Sequence, residues 1–217
     1  MDTSLSGVGV IDKAAAIISA LEDRPASLGD LVVATGLSRA TAHRLAAALV
    51  VHGLVRRLDD GRFALGLRCI GLGHRVVERF PLVELAPTIL TELRDRTGES
   101  TQLYVRDGSE RVCVAAIEST YGLRTMVSVG ARLTMEQGSA GRVLRGECAP
   151  EGFVESRGER EPGVGSVSAP VIDRSGTVQA AISISGPIER LGAASPGEHG
   201  SQTVLAARQL ESALGWR

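Results

Sequence analysis

Cysteine, aromatic residues and long hydrophobic runs are all scarce in this 217-residue sequence. Its three cysteines, Cys69, Cys113 and Cys148, are far apart and form no Cys-x-x-Cys pair, so neither a disulfide framework nor a thiol-rich zinc site is indicated. No apolar run approaches the roughly 20 residues that cross a bilayer, and the first residues lack the basic-then-apolar order of a secretory signal. Because unpaired thiols are typical of reducing compartments, we expect a cytoplasmic protein without membrane contact.

Aromatic side chains make up only 3% of the chain, too few for a platform that stacks single-stranded nucleic acid. The remaining composition is ordinary: 43% of residues are hydrophobic, 23% are charged and the net charge is −1, which suits one large domain or two small ones. The charge is unevenly distributed, because residues 1–80 carry ten basic and eight acidic side chains whereas residues 81–217 carry 14 and 17. The basic surplus of the first part favours an anionic partner there.

The hydrophobic pattern changes along the chain, from helical spacing up to about residue 77 to strand-like runs after about residue 100. These runs have alternating or β-branched residues and cover 101–106, 111–118, 123–129, 166–172 and 177–185. Segments 107–110 and 173–176 have the composition of hairpin turns. We expect residues 145–163 to be mostly loop and a last helix to cover about 196–214. The pattern predicts two domains, one helical and one α+β.

Three helices are predicted near the N-terminus. The first covers about residues 9–21 and the second begins after Ser27, a residue type that caps helices well. Gly36 ends the second helix, and Ser38 caps a third that runs to about residue 52. Two helices joined by a short glycine-containing turn form a helix-turn-helix.

The third helix has one apolar side and one side suited to DNA. At about 100° per residue, the apolar side is formed by Ala42, Leu45, Ala46 and Leu49. The other side carries Arg44 among alanines, so the backbone could enter a major groove while Arg44 reaches a base. Residues 54–58 and 62–65 then predict a β-hairpin that resembles a wing. The predicted DNA-binding residues are Thr41 and Arg44 towards the bases, Arg39, Arg57 and Arg62 towards the backbone, and Ser38 beside them.

A three-helix bundle whose arginines are merely solvated is the alternative for this part of the chain. The hairpin that directly follows the third helix, with Arg57 and Arg62 beside its turn, favours DNA binding. His43 and His52 are expected to be solvated or packing residues, because no metal-ligand spacing surrounds them. We therefore expect no metal and no cofactor.

Motifs in both halves of the chain resemble the IclR family of bacterial transcriptional regulators. They read LSRATAHRL, GLV and FALGLR in the first half, then GSAGRVL, REPGV, SAPV and AISISGP in the second, in the family's order. The compact form is similar to an actinobacterial member that regulates amino-acid metabolism. Between residues 144 and 161 the chain is shorter than typical members, and Ser156 stands where many members have an acidic residue.

The resemblance implies a winged helix-turn-helix domain at 1–66, a linker helix at 67–80 and a GAF-like α/β effector-binding and oligomerisation domain at 81–217. It implies a regulator that binds double-stranded operator DNA and responds to a small-molecule effector. An apolar stripe of Leu67, Ile70 and Val77 on the linker helix predicts a homodimer, and pairs of dimers through the second domain. The alternative is a winged-helix protein whose second domain only oligomerises and binds no ligand.

The candidate effector site combines a glycine-rich segment with serines on two predicted strands. The segment precedes a predicted helix, whose free N–H groups suit a carboxylate, and serines two residues apart share one strand face. Their neutral donors suit a small organic acid or amino acid without a buried cation. That the serines instead face solvent is left open, and a methionine such as Met126 is more often a core residue than a pocket wall. The candidates are Met126, Ser139, Ala140, Gly141, Ser166, Ser168, Ser183 and Ser185.

Catalysis and redox sensing are less well supported by the sequence. The segment around Ser139 has neither the G-x-S-x-G spacing of a nucleophile elbow nor a phosphate-binding Walker A pattern. No motif brings His74 or His199 near Ser139. No neighbouring cation in the sequence lowers the pKa of Cys113, which we expect to be buried in a strand. The sequence does not predict an enzyme.

Overall fold

The computed structural model describes residues 8–193 and 197–217. The chain divides into two compact units, of which the first ends at Arg79 and the second begins at Phe80. Among the described residues, no helix combines the length and the apolar character needed to cross a membrane.

Four helices and one hairpin form the first unit. They are α1 (Gly9–Ser19), α2 (Leu28–Thr35), α3 (Arg39–Val51), β1 (Val55–Arg57), β2 (Phe63–Leu65) and α4 (Arg68–Glu78). Ser27 begins α2 in a capping box with Asp30. Ser38 caps α3 by accepting a hydrogen bond from the Thr41 backbone N–H at 3.2 Å. Both predicted caps are confirmed.

The core of the first unit joins the three N-terminal helices to the hairpin. Its fully buried members include Ile17, Leu31, Ala46 and Val55. Phe63 of β2 exchanges backbone hydrogen bonds of 2.8 and 2.9 Å with Ala26, which attaches the hairpin to the segment before α2. No residue of α4 is buried within the chain, although several of its side chains are large and apolar.

The second unit is built on a six-stranded antiparallel sheet in the order β5-β4-β3-β8-β7-β6. Its elements are α5 (Pro81–Thr97), β3 (Ser100–Asp107), β4 (Glu110–Ile117), β5 (Arg132–Thr134), α6 (Ser139–Leu144), β6 (Val154–Arg157), β7 (Val164–Ile172), β8 (Val178–Pro187), α7 (Ile188–Ala193) and α8 (Glu198–Ala213). The predicted two-domain α+β fold is confirmed.

Each face of this sheet has its own core, because neighbouring residues of a strand point to opposite faces. Helices α5 and α8 cover one face, where Leu103 and Ile182 are fully buried. Helix α6 packs on the other face, against Tyr104 and Ala181. The face that α6 covers holds most of the predicted effector residues.

Two segments of the second unit differ from the sequence predictions. Residues 123–129 form no strand, because they pair with no neighbour, and Met126 is 64% exposed rather than in the core. The short strand β5 pairs with β4 instead. Residues 145–163, expected to be mostly loop, contain β6, which pairs with β7 despite its charged and polar residues. The predicted start of the last helix at residue 196 lies outside the described residues, and α8 begins at Glu198.

Candidate DNA-binding surface and effector cavity

Helix α3 separates its apolar and exposed residues as the sequence pattern predicted. Ala42, Ala46 and Leu49 are buried against the core of the first unit. Arg39 and Arg44 are exposed together with small alanines. Within the described part of the chain neither arginine forms an ion pair, so both guanidinium groups are available to an external anion.

The two hydroxyl groups at the start of α3 bind each other. The Ser38 hydroxyl accepts the Thr41 N–H and donates to Thr41 Oγ1 at 2.9 Å. The Ser38 hydroxyl is therefore engaged in capping the helix, whereas the Thr41 hydroxyl still has its own proton to donate to another acceptor.

The two predicted DNA-binding arginines of the wing make weak contacts with other residues of the same hairpin. The Arg62 Nε donates to the Asp60 carboxylate at 2.7 Å, and hydrogen bonds from Arg62 hold the pKa of Asp60 below its usual value. Arg57 lies over the ring of Phe63 at 5.9 Å and donates to the Gly61 carbonyl at 3.4 Å. Both side chains are exposed, so solvent screens these contacts and they are weak. A phosphate can therefore replace these contacts at little cost.

The structure brings the predicted serines together on the α6 side of the sheet. Ser139 Oγ lies 2.7 Å from the hydroxyls of both Ser166 and Ser168, and Ser168 donates to Ser183 at 2.9 Å. Ser185 exchanges hydrogen bonds with the Gln102 amide at 3.0 and 3.2 Å. Apart from Ser166, which is half-buried, these serines are buried, so the solvent-facing alternative is wrong.

A cavity of about 30 Å³ lies beside this serine cluster. Five of the predicted residues line it: Ser139, Ala140, Ser166, Ser183 and Ser185. Ser168 does not line it but is hydrogen-bonded to Ser139 and Ser183, which do. The exposed Met126 is not among the lining residues. Ser156, which the family resemblance singled out, also lines it, and the lining residues that sequence reasoning missed are Tyr104, Arg111, Gly138, Arg160 and Val164.

The glycine-rich segment has a packing role that the sequence did not reveal. A side chain at Gly141 would collide with the Met135 carbonyl and the Arg111 guanidinium, so Gly141 lets α6 lie close to β4 and β5 without lining the cavity. The Gly138 N–H already donates to the Glu159 carboxylate at 2.9 Å. Helix α6 has only six residues, and a carboxylate of this chain accepts the N–H of its N-cap residue, Gly138.

Arg111 corrects the expectation that the site contains no buried cation. Its side chain is buried on β4 and its guanidinium lies 5.5 Å from the ring centre of Tyr104. One of its nitrogens donates to the Thr134 carbonyl, whereas its buried Nε has no hydrogen-bond partner among the described residues. Burial lowers the pKa of this guanidinium and raises the pKa of Tyr104.

A sequence signal for Arg111 existed. Arg111 and Cys113 lie two residues apart on β4 and are both buried, and Cys113 packs in the core on the face that α6 covers. Residues two apart on a strand share a face, so Cys113 indicates a covered face for Arg111 as well.

Cys113 and Cys148 show no sign of activation. Burial raises the pKa of the Cys113 thiol to about 12, so it stays protonated at neutral pH. Burial also raises the pKa of Cys148, which is exposed beside an acidic residue, Glu151. Among the residues that the structure describes, no three His, Cys, Asp or Glu side chains are grouped to hold a metal ion.

Family models match both units of the chain. The model described as the IclR helix-turn-helix domain matches residues 10–59. The model described as the C-terminal domain of the bacterial transcriptional regulator IclR matches residues 74–151 and 146–212.

The curated relatives are regulators with moderate sequence identity to this chain. The chain is 27% identical to XynR of Escherichia coli over 223 residues, covering 86% of this chain and 88% of XynR, and 24% identical to E. coli KdgR, covering 100% and 96%. A match to KipR of Bacillus subtilis, at 29% identity, spans 61% of this chain and about half (53%) of that relative. All three are described as HTH-type transcriptional regulators.

Solved structures share the fold at lower identity. The Thermotoga maritima IclR structure has a TM-score of 0.72 at 21% identity, over 96% of this chain and 99% of that one. An IclR homologue from Microbacterium hydrocarbonoxydans, complexed with 4-hydroxybenzoate, has a TM-score of 0.78 at 21% identity, over 95% and 99%.

Proposed function

Because this chain belongs to the IclR family of bacterial transcriptional regulators, we propose that it binds double-stranded operator DNA as a homodimer and that a small metabolite bound in its second unit changes the DNA affinity. The metabolite is a small organic acid or an amino acid, and the regulated genes serve amino-acid metabolism. The operator and therefore the regulator are in the cytoplasm.

The exposed face of α3 carries the DNA-binding part of this proposal. Arg44 stands there among small side chains, so the helix can enter a major groove far enough for a bidentate contact between Arg44 and a guanine. Thr41 is the second base-contacting residue, because its hydroxyl has a proton to donate. Arg39, Arg57 and Arg62 bind phosphates on either side.

Exposed apolar surface supports the homodimer. Helix α4 has no buried residue, and Leu67 and Ile70 beside and within it are 69% and 70% exposed. Val10 and Ile11 of α1 are also exposed. Apolar side chains grouped on helices in this way are typical of a surface that is covered by a partner.

The buried cavity supports the effector part of the proposal. It lies between α6 and the sheet, and polar side chains from six elements converge on it. The complex of the Microbacterium homologue with 4-hydroxybenzoate, an aromatic acid, gives a precedent in this fold. A second unit that only oligomerises would need no such cavity.

Arg44→Ala tests the DNA-binding assignment. Genomic fragments selected by the wild-type protein provide the operator, whose affinity is then titrated at fixed salt. We expect Arg44→Ala to weaken specific binding by about 1–3 kcal/mol and to relax the preference at one base pair in each half-site.

Arg208→Ala, which removes an exposed arginine of α8, is the matched control and should bind like the wild type. An Arg44→Ala protein with the wild-type affinity and footprint would exclude this placement of α3.

A further inference from the structure

Helices α3 and α4 are joined by hydrogen bonds as well as by the hairpin between them. The Arg68 guanidinium donates to the carbonyl of His52, the C-cap residue of α3, at 3.0 Å. The Arg68 backbone N–H donates to the Gly53 carbonyl at 3.4 Å, and the Gly66 N–H donates to the Leu54 carbonyl at 2.8 Å. The start of α4 therefore binds the backbone that directly follows α3.

Gly66 allows these two backbone segments to touch. A Cβ atom at this position would collide with the Gly53 carbonyl group and with the Leu54 carbonyl carbon. Gly66 is buried and its φ is not positive, so the close approach of the two segments, rather than an unusual backbone conformation, requires a glycine here. The turn that begins α4 is thus packed directly on the turn that ends α3.

This junction is where α4 is attached to the preceding part of the first unit. Within the described residues of the unit, every hydrogen bond between α4 and the chain before Gly66 involves Arg68 or Cys69, whose thiol lies 3.5 Å from the Leu54 carbonyl oxygen. No residue of α4 is buried within the chain. The direction of α4 relative to α3 therefore depends on the contacts of its first residues.

Arg68 occupies a position that its own helix does not favour. It is the first residue of α4, where the positive end of the helix dipole disfavours a cation, and the first turn of α4 has no acidic residue. The C-terminal end of α3 has the opposite polarity, and its last carbonyl groups have no partner within the helix. The contact with His52 thus accounts for a residue that the local preference of α4 does not explain.

The junction connects the proposed DNA-binding helix α3 to the proposed dimer surface on α4. In a dimer, the distance between the two DNA-binding helices matches the separation of the two half-sites. We propose that Arg68 is a positioning residue that fixes α3 on α4 and so sets the half-site spacing that the dimer accepts. The inference rests on the proposed function and adds the determinant of operator geometry. Arg68 acts through α3 and does not itself contact DNA.

Operators that differ only in half-site spacing test this proposal. The operator comes from genomic fragments selected by the wild-type protein, and one or two base pairs are inserted or removed at its centre. Each base pair changes the separation by about 3.4 Å and the relative rotation by about 35°. We expect the wild type to bind the original spacing at least about tenfold more tightly than the altered spacings. Arg68→Gln should reduce this preference to about threefold or less, because α3 is then less firmly oriented on α4.

A single half-site separates positioning from the other roles that Arg68 could have. Arg68→Gln should bind a single half-site with the wild-type affinity and remain a dimer in sedimentation equilibrium, because the exposed faces of α3 and α4 are unchanged. A loss of affinity for the single half-site would overturn the proposal. If the salt dependence also became shallower, Arg68 would be a phosphate contact instead.

Two further variants complete the comparison. Arg68→Lys should recover part of the spacing preference, because an ammonium group can also donate to the His52 carbonyl. Arg75→Gln removes an exposed arginine of the same helix that has no hydrogen bond or ion pair with the residues that the structure describes, and it should keep the wild-type preference. Equal loss of the preference in Arg75→Gln and Arg68→Gln would overturn the role given to Arg68.

The same titrations separate this inference from the proposed function. If the wild type binds its operator with one preferred spacing and Arg68→Gln keeps that preference, the Arg68 assignment fails and the proposed function stands. The outcome is the same if the wild-type dimer binds all spacings equally. A wild type that is a monomer, or that selects no genomic fragment, overturns both.

Discussion

Glu99 illustrates how one residue can depend on a partner distant in sequence. Its carboxylate is 1% exposed just before β3 and accepts two hydrogen bonds from one edge of the Arg190 guanidinium on α7, formed by Nε and Nη2. Arg190 also lies 4.4 Å from the ring centre of Tyr121 and donates to the Leu123 carbonyl at 3.0 Å. These contacts fix the segment after β4 even though it forms no strand.

Arg190→Met should lower the free energy of unfolding by about 3–5 kcal/mol, because it leaves a buried carboxylate without its partner. Urea denaturation measures the change. Arg124→Met, which removes the partner of the exposed Glu118, is the control and should change stability by at most about 1 kcal/mol.

Adding Glu99→Gln to Arg190→Met should restore part of the lost stability, since the charge is then gone. Equal stability of Arg190→Met and Arg124→Met would contradict the role given to this pair.

At the scale of elements, the turn between β7 and β8 is held by one carboxylate. Asp173 Oδ1 accepts the backbone N–H groups of Ser175 and Thr177, at 2.8 and 3.1 Å, and its other oxygen accepts the Gln179 amide at 2.6 Å. These bonds, first the one from the Ser175 hydroxyl, lower the pKa of Asp173 to about 2. The turn predicted from composition at residues 173–176 is thus stabilised when the Asp173 carboxyl group is ionised.

This pKa gives the turn a defined pH dependence. Because the folded-state pKa lies below the usual 3.8, the stabilisation is complete above about pH 4 and is lost as the pH falls towards 2. Asp173→Asn should therefore be less stable than the wild type at pH 7, and the difference should shrink between pH 4 and 2.

Urea midpoints at pH 7, 4 and 2.5 measure this difference. Asp95→Asn, at an exposed carboxylate paired only with its neighbour Arg94, is the control. A difference between Asp173→Asn and the wild type that stays constant with pH would refute the assignment.

At the scale of the whole molecule, helix α4 presents more apolar surface than one chain can cover. We expect the wild type to be a dimer at micromolar concentration, and Ile70→Glu to weaken dimerisation at least about tenfold, since a charge would be buried in the interface. Sedimentation equilibrium measures the association.

Val33→Glu on α2 changes a comparably exposed apolar residue outside the proposed interface and should leave the dimer intact. A wild-type monomer, or equal effects of the two substitutions, would reject α4 as the dimer surface.

Local patterns in the sequence determined the helix-turn-helix, its caps at Ser27 and Ser38, the four long strands and the two hairpin turns. These depend on interactions between residues close in the chain, such as side-chain caps and the alternation of a strand, so one sequence carries the information. Residues 123–129 show the limit of this reasoning: they alternate like a strand, but a strand forms only where a neighbour offers free hydrogen-bonding groups.

Only the tertiary structure decided which side chains line the cavity, and therefore which ligands the cavity can bind. The predicted serines lie together, and they bind one another through hydrogen bonds between residues up to 29 positions apart. Arg111 reaches the same cavity from β4, which two other strands separate from β7, and no local pattern connects it to Ser139. A binding site is a property of side chains brought together by folding, and its charge follows from strand order and register, which distant contacts fix.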